Sequence, residues 1–307
     1  MLENVPGLIS TSYRSALKAL YRDLRAAGYR VDEPWLLNAS EHGVPQDRKR
    51  VFVVGARKGE ALPTKPSSSA SAISVGDALD DLSGLGRFRR LYNADRLDLT
   101  DRQAEAIRER QSDYVRRING TSNDDCDFSD ARTWSSHRLS SIGLTRHSDD
   151  VLARFEDLRP GDRDQIGRLP RLDPLGQSPT LRAGTGRDHG SFTSARPVHH
   201  RRPRVITVRE AARLHGFPDW FGFHATKWHG FRQVGNAVPP PLARAVAASV
   251  VAAAGARPSR RSGRMALGPD RLLEMSLAEA AEHFELDASR LPIDVRRAGS
   301  SEAREAA

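Results

Sequence analysis

A carboxylate, an alternating trio of polar side chains and an amide are the residues of this 307-residue chain best suited to do chemistry. Glu3 stands in the run Glu3-Asn4-Val5-Pro6 and offers a carboxyl for acid or base work. Gln46, Arg48 and Arg50 alternate, so in an extended segment they share one face. Two guanidiniums on one face suit either a phosphate or charge developing on a bound group. Taken alone, Gln-Asp-Arg-Lys-Arg reads better as a solvated basic strand edge, and Glu3 as an ordinary exposed glutamate. Asn236 follows Gly235 ahead of Pro239-Pro240-Pro241. The single cysteine, Cys126, lies in Asp124-Asp125-Cys126-Asp127, where three carboxylates disfavour the thiolate that a nucleophile requires. One cysteine also excludes an intrachain disulfide and a cysteine-based zinc cluster. Gly184-Thr185-Gly186 has no strand before it, which a phosphate-cradling turn would need. His199 and His200 stand in a basic loop within reach of a phosphate, or idle at the surface.

The elements that must position these residues have local signatures. Ser12 to Ala27 reads as an amphipathic helix with Ala16, Leu17, Leu20 and Leu24 on one face, closed by Gly28. Val31, Trp35-Leu36-Leu37 and Val51-Phe52-Val53-Val54 are strand candidates. Ser74 with Asp77, Thr100 with Gln103, Thr207 with Glu210 and Ser276 with Glu279 mark helix starts, the last three with capping-box spacing. Ser148 caps a helix containing Val151, Leu152, Phe155 and Leu158. Gly216 and Pro218 stop the helix that follows Thr207. Gly235-Asn236 reads as a turn, and an Ala/Leu/Val helix begins in the proline run, where the missing N–H costs nothing. Residues 119–135 are loop-like and 257–264 read as a flexible linker. Trp220, Phe221, Phe223, Trp228 and Phe231 read as packing aromatics rather than a base-stacking platform.

The chain carries 48 Lys+Arg against 39 Asp+Glu. Residues 255–307 sum to zero charge, so the whole excess of nine lies in residues 1–254. That excess suits a polyanion partner, although basic proteins often have merely solvated basic surfaces. No apolar run is long enough to span a bilayer and no signal peptide is evident, so a cytoplasmic protein is expected.

Four blocks in order carry a resemblance. Glu3-Asn4-Val5, then ASEHGVPQDRKRVFVVGAR over 39–57, then REAARLHGFPD over 209–219, then QVGNAVPP over 233–240 resemble blocks of the 5-methylcytosine DNA methyltransferases. The resemblance implies an α/β fold: a partial doubly wound, Rossmann-like methyltransferase sheet with a smaller irregular target-recognition domain. It divides the chain into 1–58, part of the catalytic α/β domain; 59–203, the target-recognition region; 204–254, a recognition-supporting helix and a helix returning to the catalytic domain; and 255–307, a flexible linker and short helical tail. It implies double-stranded DNA as partner and S-adenosylmethionine as methyl donor. The family reaction opens with a thiolate adding to cytosine C6, after which C5 takes the methyl group, and the base must leave the duplex first. By resemblance Glu3 contacts cytosine N3 from a closed pocket, with Asn4 beside it. Arg50 donates to O2, Arg48 supports the pocket or a phosphate, and Gln46 lies near the flipped nucleotide. Asn236 and Val238 belong to the block that closes over the cofactor. Arg209, counted with the DNA-side residues, ties its helix to the recognition region together with Glu210.

The chain departs from the pattern twice. It has no Phe-x-Gly-x-Gly turn and no Pro-Cys nucleophile. The expectation is therefore a portion or subunit of a DNA cytosine methyltransferase, inactive alone, whose cofactor turn and cysteine come from elsewhere, a separate N-terminal subunit being one such source. The alternatives are a catalytically inactive DNA-binding remnant and a product with no stable fold.

Overall fold

In a computed structural model, residues 1–68, 71–122, 128–184, 196–259 and 263–287 are described. Cys126 and most of Gly184-Thr185-Gly186 lie outside them. The N-terminal part comprises β1 (Leu2–Asn4), α1 (Arg14–Ala26), β2 (Tyr29–Val31), β3 (Trp35–Asn38), β4 (Gln46–Asp47), β5 (Lys49–Val53) and β6 (Gly55–Arg57). Next come α2 (Val75–Leu79), β7 (Arg96–Asp98), α3 (Asp101–Arg108), α4 (Asp113–Ile118), β8 (Ala131–Thr133), β9 (Arg138–Ser140), α5 (Asp149–Asp157) and β10 (Ser178–Pro179). The remainder is α6 (Val208–Leu214), α7 (Lys227–Asn236), α8 (Pro240–Ala253), β11 (Arg264–Ala266) and α9 (Leu277–His283).

Helix starts follow the local chemistry. Ser74–Asp77, Thr100–Gln103, Thr207–Glu210 and Ser276–Glu279 all close reciprocal capping boxes. Each satisfies orphan N–H groups at its helix end. α8 opens on prolines, as expected.

The expected doubly wound sheet is present only as small pieces among the described residues. β1, β5 and β3 form a three-stranded sheet in that order, both pairings antiparallel. The chain reverses between β3 and β5 through residues 39–48, so these strands cannot run parallel. α8 covers one face: Leu242 and Val246 pack with Trp35, Leu37, Val44, Phe52 and Val54. α1 has no fully buried residue, and Leu2 and Val5 at the start of the chain are exposed. A second core gathers α2, α4, α6 and α7 around Leu79, Tyr114, Leu214, Phe231 and Val234. A third, around Leu91, Leu97, Leu139 and Leu144, holds β7 and β9 together.

Three local expectations are corrected, and one helix is found where none was expected. Gly235 and Asn236 do not form a turn; they are the last residues of α7, whose apolar positions Phe231 and Val234 bury it in the second core. Residues 113–118 form α4, capped by Ser112, because Tyr114 and Val115 reach that core. Residues 131–133 and 264–266, read as loop and linker, pair as parallel strands β8 and β11. The segment after β11 is then held by Arg96 to Asp270 at 3.2 Å, Arg138 to Asp270 at 2.7 Å and Arg96 to Glu274 at 2.6 Å. His199 and His200 are buried and stacked at 4.3 Å, with no surface for a phosphate. Of the five aromatics, Phe223 and Phe231 are buried; Phe221 is exposed, though its ring meets those of Phe217 and Phe223, and Trp220 and Trp228 are half-buried.

Candidate active site

A cleft of about 710 Å³ opens where β1 and β5 meet the loop after β10 and the end of α7. This is a size that holds a small-molecule or base-sized group. Its lining includes Glu3, Asn4, Lys49, Arg50, Arg182 and Asn236. Antiparallel register sets Glu3 opposite Phe52, which brings its carboxylate to Arg50. Arg50 Nε lies 3.0 Å from Glu3 Oε1. Arg50 also donates from Nη1 to the Lys49 carbonyl at 2.8 Å. Burial pushes the Arg50 guanidinium down and Glu3 pushes it back up. The Glu3 side chain is 32% exposed, so it stands at an open cleft rather than in the closed pocket expected. Asn4 lines the cleft and accepts its neighbour's Val5 N–H at 2.8 Å.

Gln46, Arg48 and Arg50 do share one face, and all three are buried while Asp47 and Lys49 are exposed. They serve different layers. Arg48 donates from Nη1 to the Leu181 carbonyl at 2.8 Å, and from Nη2 to the carbonyls of Gly235 at 2.5 Å and Ala237 at 3.1 Å. Burial and the neighbouring Arg50 push it down to about 9. Both of its Nη groups donate inside the fold, while its buried Nε has no partner among the described residues, so Arg48 braces the cleft that it lines. Gln46 lies deeper. Its amide donates to the Leu214 carbonyl at 3.2 Å, and its Oε1 accepts from Leu181 N–H at 3.3 Å. It does not line the cleft, contrary to a place beside a flipped nucleotide.

Gly235 makes this convergence possible. A Cβ there would lie 2.5 Å from Ala183 N and 2.6 Å from Arg182 C, so only glycine lets α7 meet the loop backbone. Asn236 then reaches the cleft, whereas Val238 packs against the core of α8 and the sheet. Of the two residues assigned to the cofactor block, only Asn236 can present a polar group to a ligand.

Arg209 is buried and far from being a DNA contact. It donates from Nε to the Ser140 carbonyl at 3.1 Å, from Nη1 to Pro218 at 2.9 Å and from Nη2 to Phe221 at 2.8 Å. Burial pushes it down to about 10. Glu210 holds Arg204 in a fork at 2.7 and 2.8 Å. Burial opposes its charge, but Arg204 and His199 hold it well below the usual carboxylate range. Arg213 forks onto Asp219 at 2.8 and 2.7 Å and also reaches Asp81. Sequence reasoning passed over this buried network, and over Thr180 and Arg182 at the cleft. The network's charged residues alternate with the apolar ones of α6 at a spacing that looks amphipathic, yet every residue of α6 is buried.

Among the described residues, no helix is long and apolar enough to cross a membrane. The family model for C-5 cytosine-specific DNA methylases matches residues 1–252. The chain is 42% identical over 285 residues to the type II methyltransferase M.XorII of Xanthomonas oryzae pv. oryzae, covering 92% of this chain and 65% of that protein. It is 29% identical to M.MthTI of Methanothermobacter thermautotrophicus over 81% of this chain and 64% of that one. It thus spans about two thirds of the length of these relatives. A solved DNA modification methyltransferase encoded within an E. coli prophage superposes with a TM-score of 0.60 at 29% identity, covering 82% of this chain and 68% of that chain. With three of the four blocks lining one cleft and the family model spanning most of the chain, the chain belongs to the C-5 cytosine-specific DNA methylases.

Proposed function

We propose that this chain forms the base pocket and DNA-facing part of a DNA cytosine-C5 methyltransferase. The observation that carries this is the Glu3–Arg50 pair at the mouth of the cleft. Glu3 holds or delivers a proton at cytosine N3, and Arg50 donates to O2 as negative charge gathers on the ring. Arg48 keeps Arg50's strand, the loop at 181–183 and the end of α7 in register. S-adenosylmethionine supplies the methyl group when bound, and Asn236 is the residue here placed to touch it. The 307 residues contain neither a Pro-Cys pair nor a Phe-x-Gly-x-Gly turn, so the thiolate and most of the cofactor site come from residues not in this sequence. The apolar α1 face and exposed Leu2 and Val5 are a fitting surface for them.

The test is methyl transfer from radiolabelled S-adenosylmethionine to duplex DNA. The chain alone is expected to label nothing. The chain combined with a polypeptide carrying the two absent blocks, whether encoded in frame or separately, is expected to label cytosine. Labelling by the chain alone would overturn the assignment of the nucleophile. No labelling in any combination, with duplex binding retained, would leave the DNA-binding remnant.

A further inference from the structure

Away from the cleft, at the N-terminal end of α7, cations gather with little to balance them. Lys227 donates from Nζ to the Leu144 carbonyl. Two residues on, Arg146 lies over the Tyr92 ring at 5.1 Å and donates from Nη2 to Asn93 Oδ1 at 3.0 Å. Arg196 lies over Phe231 at 5.6 Å, one helical turn from Lys227 on the same side of α7. Asp95 is the carboxylate that acts on Lys227. Its oxygens already accept the N–H groups of Ser141 and Gly143, both at 3.1 Å. The first turn of α7 has no acidic residue. The charges act on one another: burial, Arg196 and Arg146 push Lys227 down, with Asp95 opposing. Burial, Arg196, Arg204 and Lys227 push the adjoining His147 down, so the imidazole offers no further cation.

A fold gains nothing by holding three cations together at a half-buried site around one occupied carboxylate; a multivalent anion bound there would relieve the repulsion. The position says which anion. α7 runs from Lys227 to Asn236 at the cleft, about 14 Å at 1.5 Å per residue. That is about four base-pair steps along a duplex. We propose that Arg146, Arg196 and Lys227 form a clamp for backbone phosphates of the substrate DNA, spaced by the length of α7 from the base that enters the cleft. This rests on the proposed function of the cleft.

The test is duplex binding by the full chain, measured by fluorescence anisotropy across a range of KCl concentrations, for the wild type and for Arg146→Gln, Arg196→Gln and Lys227→Gln. Each lost phosphate contact is expected to weaken binding at low salt and to flatten the plot of log K against log salt by about 0.9. Arg146 is exposed, so its variant tests the clamp even if the other two disturb packing. Wild-type slope and affinity in Arg146→Gln and in every other variant that folds would overturn the clamp. Inorganic phosphate at matched ionic strength should leave DNA affinity unchanged; competitive loss would mark a free-phosphate site and overturn it too. Methylation by the combined enzyme separates the two ideas. A wild type that methylates while its variants keep the slope sinks the clamp alone, and a wild type that never methylates sinks the reading of the cleft.

Discussion

Arg48 and Arg50 stand two residues apart on one strand face and do opposite work. Arg50 is at the cleft with Glu3, whereas Arg48 turns both of its Nη groups onto the carbonyls of residues 181, 235 and 237. Their variants should therefore fail differently. Arg50→Gln is expected to lower methylation by the combined enzyme roughly 10²–10³-fold, the typical loss of one donor to developing charge, with a thermal midpoint close to wild type. Arg48→Met is expected to cost about 3 kcal/mol or more in urea unfolding, because buried carbonyls are left unpaired. Equal losses of stability in the two would refute the division. Alternation along 46–50 was legible in the sequence, since a period of two is local. Which guanidinium faces solvent was not, because it depends on where α7 and the 181–183 loop arrive from more than 130 residues away.

At the scale of elements, the chain is held by close approaches that glycine permits. Gly216 has φ +86°, and a Cβ on it would sit 2.6 Å from Pro241 Cδ, so the end of α6 and the start of α8 pack only with glycine there. Gly235 has no unusual φ but abuts the backbone of Ala183. Gly235→Ala is expected to push α7 off the loop. Methylation should fall at least tenfold and unfolding should shift by about 1–3 kcal/mol, an overpacking cost. Amide exchange should rise over 181–184. Unchanged exchange there would refute the close approach. The helix starts were legible because a capping box is a four-residue event. α7 was not, since its Gly, Asn and His content argues against a helix and burial of Phe231 and Val234 overrides it. The tail strand β11 was equally hidden, because its partner is β8, about 130 residues earlier.

For the molecule as a whole, the buried histidines make stability depend on pH. Burial pushes His200 down to about 4, helped by His199, and pushes His215 down to about 3, helped by Arg48. Both rings stay neutral in the fold and become protonated on unfolding below their ordinary 6.5. The unfolded chain then binds more protons, so stability is complete above pH 6.5 and falls towards pH 4, by a few kcal/mol in all. Asp80, held at about 2 by Arg201 and His200, and Asp219, held at about 2 by Arg213 against its burial, add their losses only below about 3.8. Asp95, raised by burial, works in the opposite sense above 3.8. Thermal midpoints measured from pH 8 to pH 5 should drop below about 6.5, and His200→Asn should flatten the drop. A midpoint independent of pH over that range would contradict the neutral, buried state of these rings.

What the sequence determined by itself was local or repeated within a block: the capped helix starts, the shared face of 46–50, the basic excess before residue 255 and the family blocks. Each rests on neighbours along the chain or on a sum over it, and needs no knowledge of the fold. The tertiary structure alone decided which of those residues meet. It placed Glu3 against Arg50, turned Arg48, Arg209 and Gln46 inward, buried the two histidines and set the tail strand β11 on β8. Those outcomes depend on desolvation and on carbonyls and carboxylates supplied from distant segments, and a guanidinium's role follows from the acceptors it finds.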